Sequence, residues 1–308
     1  MKFITHLILN IQKELMKYDF NSCQMKMNEL NLNNNFRIGA ICGDICGSIY
    51  ECNNIKYKLS EKELLNPKCQ FTDDTVMTIA IAAGINSALS KISENWLNNS
   101  CDEKVIFDEI QNSMRVFGKK YPHAGYGGGF IRWLISENPF PYNSWGNGSA
   151  MRASYCGWMA KSLKEAERLA EISAKVTHNH PEGIKGAKVT AVCIFILKNG
   201  GNKSNVKAYA SDYYDLNFKL KDIRNDYKFN ASCQGTVPYA IVSFLEGKDF
   251  SDVISNAISI GGDSDTLAAI AGSIAEAYYP ISSKLKSFAI SNLDDYLINA
   301  LHNCNDVI

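Results

Sequence analysis

The stretch FTDDTVMTIAIAAG, residues 71–84, places two aspartates and two threonines directly before an apolar, helix-like run. How that run is read decides the fold, because its pattern recurs from Arg37 onward. DTVMTIAIAAGINSAL, FDEIQNSMRVFGKKY, LKEAERLAEISAKVTHN, KGAKVTAVCIFILKNG, GTVPYAIVSFLEG, FSDVISNAISIG and TLAAIAGSIAEAYY all space apolar residues at i, i+3 and i+4, the signature of a helix face. Alternating period-2 runs are scarce. VTAVCIFIL carries β-branched residues, but its length and flanks suit a buried helix better than a strand. Residues 202–232 read as a helix plus a long surface excursion. The expectation is one all-α, compact multi-helix domain over residues 37–308.

Ahead of it, Ile4, Leu7, Ile8, Ile11 and Leu15 fall on one helical face, and NELNLNNNF (28–36) reads as a linker. Residues 1–36 are therefore expected to form an N-terminal helical extension and linker. The extension either packs on its own domain or serves as a partner-docking arm.

The chain has 308 residues, 46% of them hydrophobic, which is ample for a sizeable core. Its 32 basic and 32 acidic residues balance, so no global charge argues for nucleic acid or a membrane surface. Ten cysteines are scattered without a CxxC pair, and buried free thiols in a reducing compartment are the expected state. The N-terminus lacks the pattern of a signal peptide, and no run approaches the roughly 18 apolar residues of a spanning helix. A cytoplasmic protein is expected.

An Asp or Thr at a helix start accepts bonds from free N–H groups and faces the positive end of the helix dipole. One oxygen suffices for a cap, yet Thr72, Asp73, Asp74 and Thr75 offer several. Adjacent carboxylates repel unless a cation offsets them. GGDSDTLAAIAG (261–272) repeats the excess with Asp263, Ser264, Asp265 and Thr266, after two glycines that allow a sharp turn. If the two stretches meet, they form an all-oxygen site suited to Mg²⁺ or Mn²⁺ rather than zinc. Capping and metal ligation both remain open at this point.

GAICGDICGSIYE (39–51) adds Asp44 and Glu51 among three glycines, which suit close helix packing or a ligand-facing turn. Glu51 is read either as a surface residue or as an acid/base group beside the metals. Two Gly-rich stretches, YGGGFIRWL (126–134, with Gly127, Gly128 and Gly129) and SWGNGSAMRAS (144–154), can present backbone N–H groups to a phosphate. Neither completes a dinucleotide-binding or Walker fingerprint. THNHPEG (177–183) supplies His178 and His180 without the further ligands of a zinc site. No GxSxG elbow supports a serine triad.

Five of these motifs, GAICGDICGSIYE, FTDDTVMTIAIA, WGNGSAMRAS, THNHPEGIKGA and ISIGGDSDTLAAIAGSIAEAYY, occur in that order. Together they closely resemble the ADP-ribosylglycohydrolase family, which includes the dinitrogenase reductase-activating glycohydrolase, over about 37–282. The resemblance implies an all-α fold with a binuclear centre of two Mg²⁺ or Mn²⁺. It implies that Thr72, Asp73 and Asp74 ligate metal from one side and Asp263, Asp265 and Thr266 from the other. Glu51 is then placed at the catalytic centre with Asp73 and Asp74. The GNGSAMR loop, with Asn147, Gly148, Ser149, Met151 and Arg152, is expected to hold the diphosphate, and His178 to contact the ADP-ribose. The chain departs from the bacterial pattern VPEA with VPYA at 237–240, where Tyr239 is expected to alter a substrate-facing wall.

The implied activity is hydrolytic removal of ADP-ribose from an ADP-ribosylated protein or conjugate at the C1″ glycosidic bond, with arginine linkage favoured over serine-linked, small-molecule or nucleic-acid-linked substrates. The rival expectation is a non-catalytic ADP-ribose-binding or toxin-neutralising protein, with a toxin partner held by the N-terminal arm. The complete ligand set argues for catalysis.

Overall fold

A computed structural model of the chain describes residues 37–51 and 53–305. The expected N-terminal helix and linker, and with them the docking-arm reading, lie outside the described residues. Among the described residues there are sixteen α-helices and no strand. They are α1 (Gly39–Gly47), α2 (Glu61–Leu64), α3 (Asp73–Leu89), α4 (Ser100–Lys120), α5 (Gly128–Ile135), α6 (Gly148–Met151), α7 (Ser154–Met159), α8 (Leu163–Lys175), α9 (Pro181–Lys198), α10 (Lys203–Ser211), α11 (Leu220–Ile223), α12 (Cys233–Glu246), α13 (Phe250–Ser259), α14 (Ser264–Glu276), α15 (Ser283–Ser291) and α16 (Asp295–Asn305). The all-α reading holds, and VTAVCIFIL is the buried body of α9.

The helices sort by how their apolar residues are distributed. Helices α1, α3, α9 and α14 are apolar nearly all round, and most of their residues are buried. That pattern belongs to a helix surrounded by others. Helices α4, α8 and α13 carry a single apolar stripe and cover the first group. Thus α4 packs on α3, α8 on α9, and both α12 and α13 on α14. One contiguous apolar core runs from Ile38 to Cys304.

At the centre, α1 and α14 lie unusually close. Gly39, Gly43 and Gly47 repeat every fourth residue and so share one face of α1. A Cβ on Gly43 would lie 2.0 Å from the Ala268 carbonyl oxygen, and one on Gly47 would lie 2.5 Å from the Asp265 Cα. A Cβ on Gly272 would lie 2.3 Å from the Gly39 carbonyl oxygen. The matched order of these contacts makes the pair antiparallel. The partly buried Glu276 closes one end by accepting from the Ile38 and Gly39 N–H groups at 3.0 and 2.8 Å. The glycines of 39–51 therefore serve close helix packing, the first of the two uses their sequence allowed.

Some elements differ from the periodicity. Helix α4 starts at Ser100, earlier than the apolar spacing suggests, because Asn99 caps it by accepting from the Cys101 N–H at 3.0 Å. Helices α15 and α16 extend the fold beyond the segments whose apolar spacing predicts a helix. The excursion within 202–232 does more than cross the surface, since Phe229 and Ala231 line a cleft. Among the described residues eight cysteines are free, and seven of them are buried. Among the described residues no helix is long and apolar enough to cross a membrane.

The α1–α14 contact predicts a sharp response to one methyl group. Gly43→Ala should lower unfolding free energy by about 3 kcal/mol, the scale of overpacking a rigid core. Gly127→Ala, where an added Cβ meets nothing within 4 Å, should change it by less than about 0.5 kcal/mol. Urea denaturation of both variants checks the pair; equal stabilities would count against the close-contact account.

Candidate metal centre and substrate cleft

The two acidic helix starts meet. Thr72 is the N-cap of α3, and its Oγ1 accepts from the Asp74 N–H at 3.4 Å. Asp44, from the middle of α1, supplies the rest of the capping. Its carboxylate accepts from the Thr72 N–H at 2.9 Å, the Thr72 hydroxyl at 2.7 Å and the Thr75 N–H at 3.0 Å. The carboxylates of Asp73 and Asp74 are thereby left over for other work. From α14, the Thr266 hydroxyl donates to Asp74 Oδ2 at 3.1 Å. The remaining Asp74 oxygen is buried with no partner.

Two trios of carboxylates result. Oxygens of Asp44, Asp74 and Asp265 lie within 4.8 Å of one another, as do those of Glu51, Asp263 and Asp265. Asp263 sits at the N-cap of α14 but makes no capping bond with its side chain. It instead accepts from Asn147 Nδ2 at 2.7 Å, and Asn147 is fixed by a second bond to the Thr236 hydroxyl at 3.0 Å. Gly261 and Gly262, at φ of +68° and +78°, make the turn that delivers it.

So many acids cannot all stay charged in a buried site without compensation. Burial is the main force pushing the Asp44, Asp74 and Asp265 carboxyls above their ordinary range, and neighbouring carboxylates push Asp74 and Asp265 further. Asp73 is pushed up to about 7 by burial and then by Asp44 and Asp263. Glu51, half-buried, is raised by burial first and then by Asp263 and Asp44. An orphaned buried oxygen, two convergent trios and an oxygen-only donor set fit a hard divalent cation.

The acids form one end of a cleft of about 570 Å³, a volume suited to a nucleotide-sized ligand. Thr72, Asp73, Asp74, Asp263, Asp265, Thr266 and Glu51 all line it, and so do Gly127, Gly129, Asn147, Gly148, Met151, Arg152 and His178. Gly128 and Ser149 do not. Ser149 is fully buried, with its hydroxyl donating to the Gly183 carbonyl at 2.7 Å. Arg152 is 1% exposed and holds the loop from behind. It donates to the Gly148 carbonyl at 2.9 Å and the Thr177 hydroxyl at 2.9 Å, while its Nε is buried without a partner. His178 pairs through Nδ1 with the Thr177 hydroxyl at 2.6 Å, and a Cβ on Gly148 would lie 3.3 Å from its Nε2. Burial, then the nearby Arg152, pushes the imidazole well below its ordinary range, so it is neutral.

His180 instead caps α9 by accepting from the Glu182 N–H at 3.1 Å. Tyr239 forms no wall of the cleft. Its ring packs on Phe218 and Tyr227 at 5.0 and 4.6 Å, one layer behind. The expectation that it faces substrate is corrected on that ground. Sequence reasoning named Asp44 without assigning it to the site. The available signal was a carboxylate inside an otherwise apolar helix, which must find partners when buried. Phe71, Tyr142 and Phe229 also line the cleft and carry no spacing that would have announced them.

A family model described as ADP-ribosylglycohydrolase matches residues 36–302. The chain is similar to the ADP-ribosylhydrolase ARH3 of Mus musculus, at 25% identity over 86% of this chain and 89% of that one. It is similar to the ADP-ribosyl-(dinitrogen reductase) glycohydrolase of Rhodospirillum rubrum, at 23% identity over 73% of this chain and 74% of that one. A solved structure described as an ADP-ribosylglycohydrolase-related protein complex aligns with TM-score 0.54 at 19% identity, covering 87% of this chain and 97% of that chain. At that identity the likeness is one of fold.

The acidic cluster sets a pH dependence. Asp73 has a folded-state value of about 7 against 3.8 for the ordinary group. Its ionisation therefore opposes folding, and the metal-free protein should lose stability as pH rises between those two values. Mg²⁺ or Mn²⁺ should raise the melting temperature by about 5 °C or more near pH 8 and by clearly less near pH 5.5, where protons compete for the same oxygens. Thermal melts with and without cation check this; an equal increment at both pH values would contradict it.

Proposed function

The chain belongs to the ADP-ribosylglycohydrolase family, and from that premise we propose that its cleft holds two Mg²⁺ or Mn²⁺ ions and cleaves the C1″ bond between ADP-ribose and an arginine acceptor. The hydrolytic removal of ADP-ribose follows from the family; the ion pair, the bond and the acceptor are our reading. The observation that carries it is the pair of carboxylate trios sharing Asp265 at one end of the cleft.

Bound divalent cations supply Lewis-acid polarisation of ribose hydroxyls and of the attacking water. The residues to hold them are Asp73, Asp74, Asp263 and Asp265, with Thr72 and Thr266 beside them, Asp44 completing the first trio, and Glu51 left at the edge of the second for proton transfer. Asn147 keeps Asp263 aimed inward by its two bonds. Glu51 is the acid/base group. Its place in the cleft wall beside the acids, partly exposed, suits it to take a proton from water and return one to the leaving acceptor. The 146–152 loop and His178 hold the diphosphate end, so that binding away from the scissile bond positions that bond. A cleft with many carboxylates, whose one arginine is turned toward the protein's own carbonyls, favours a cationic guanidinium acceptor over a neutral hydroxyl.

The test is release of ADP-ribose from arginine-linked and serine-linked conjugates with Mg²⁺, with Mn²⁺ and with EDTA. EDTA or Asp74→Asn should abolish release, and Glu51→Gln should lower kcat by about 10²–10⁴ with little change in KM. Turnover that survives EDTA would sink the metal mechanism. Faster release from the serine-linked conjugate would sink the arginine assignment. Tight ADP-ribose binding with no turnover would instead make the chain a binding module.

A further inference from the structure

The turn that delivers Asp263 is short of support from its own helices. It runs through two positive-φ glycines after the end of α13, and the Asp263 side chain makes no capping bond to hold it. The Gly261 N–H donates to the Ile258 carbonyl at 2.9 Å and Asn147 holds the Asp263 side chain, and the rest of the grip comes from the segment just after Glu51. The Gly262 N–H donates to Asn54 Oδ1, and Asn54 Nδ2 donates to the Glu51 carbonyl at 3.3 Å. The Lys56 ammonium donates to two carbonyls at once, Ile260 at 2.5 Å and Tyr227 at 2.7 Å. Those carbonyls belong to different parts of the chain. Ile260 leads into the Asp263 turn, and Tyr227 leads into the wall carrying Phe229 and Ala231.

Packing repeats the connection. A Cβ on Gly261 would lie 2.6 Å from Asn54 Oδ1 and 3.0 Å from Lys56 Nζ, and one on Gly262 would lie 2.6 Å from the Tyr227 ring. The turn is thus held from both sides with no room for a side chain. The Tyr227 hydroxyl donates to the Gly235 carbonyl at 2.7 Å, and Tyr239 backs its ring. Lys56 is partly buried, and this desolvation lowers its pKa from the ordinary range. A strongly hydrated ammonium is kept here because its donors point in several directions and bridge carbonyls that an apolar side chain could not.

We propose that Lys56 is a positioning residue which, with Asn54, fixes the spacing between the Asp263 turn and the Tyr227–Ala231 wall of the cleft. The inference rests on the reading of the cleft given above. Phe229, two residues beyond the clamped carbonyl, is 56% exposed and lines the cleft, so a ligand pressing on that wall pushes through Tyr227 and Lys56 on the acidic turn. The side chain of position 56 thereby sets both how Asp263 meets a cation and how the wall meets substrate. A plain cap on the last carbonyls of α13 would need only the Ile260 bond.

Wild type, Lys56→Met, Lys56→Arg and Asn54→Ala are titrated with Mn²⁺ by calorimetry and assayed for ADP-ribose release. Lys56→Met should weaken Mn²⁺ binding about tenfold, lower kcat about tenfold and raise KM about threefold, and Lys56→Arg should recover all three to within about threefold. Asn54→Ala removes an exposed side chain and should weaken Mn²⁺ binding about threefold. A lowered melting temperature with unchanged Mn²⁺ affinity and kinetics in Lys56→Met is the result of a helix cap alone, and overturns the proposal. If Lys56→Met does not fold, Asn54→Ala decides, and unchanged Mn²⁺ affinity there overturns it equally. If wild type binds Mn²⁺ but releases no ADP-ribose, the hydrolase reading falls, and the Mn²⁺ affinities of the variants still decide the positioning role.

Discussion

The backbone contact between α1 and α14 is the constraint on which the site depends. Three glycines every fourth residue let the two helices approach until Cα and carbonyl atoms touch. Asp44 lies on α1 immediately after the middle glycine, and Asp265 lies at the start of α14 against Gly47. The missing side chains seat the start of α14 directly on Gly47, and from there Asp265 belongs to both trios. Glu276, at the far end of the same pair, satisfies the backbone N–H groups that the buried start of α1 would otherwise leave orphaned.

Electrostatics then divides the acids by task. Asp44 spends its lone pairs on Thr72 and Thr75, so it shapes the start of α3 while contributing an oxygen to the first trio. Thr72 caps the helix. Asp263 makes no capping bond, and it converges with Asp73, Asp74 and Asp265 in a place where burial raises the cost of charge on the latter three. A fold does not retain such a cluster for stability, since removing charge from a buried site is often neutral or stabilising. Its chemistry fits a cation, which would offset the cost of charge that the metal-free form carries.

The helices with strong apolar periodicity, α3, α9, α12, α13 and α14, were legible because burying one face or all faces leaves a direct mark on residue order. Those positioned by packing, α15 and α16, left weaker marks. The acidic starts of α3 and α14 were legible as an excess of oxygen over what capping uses. Asp44 was visible but not assignable, because its partners Thr72 and Thr75 lie about thirty residues away. Ser149 and Gly128 show the opposite error. A Gly-rich loop announces close approach of backbone to something, and for Ser149 that something is the Gly183 carbonyl rather than a ligand. Tyr239 differs from its expected role for a similar reason: its ring finds Phe218 and Tyr227 before it finds the cleft.

By itself the sequence determined the helical class, the acidic helix starts, the glycine face of α1 and, through five ordered motifs, the family. These are local properties: periodicity, capping chemistry and backbone permissiveness act within a few residues. Tertiary structure alone decided that 72–75 and 263–266 meet, that Asp44 joins them, and that Lys56 ties the Asp263 turn to a wall of the cleft. Those are contacts between segments far apart in the chain, set by how rigid helices fit together, and no residue's own neighbours encode them.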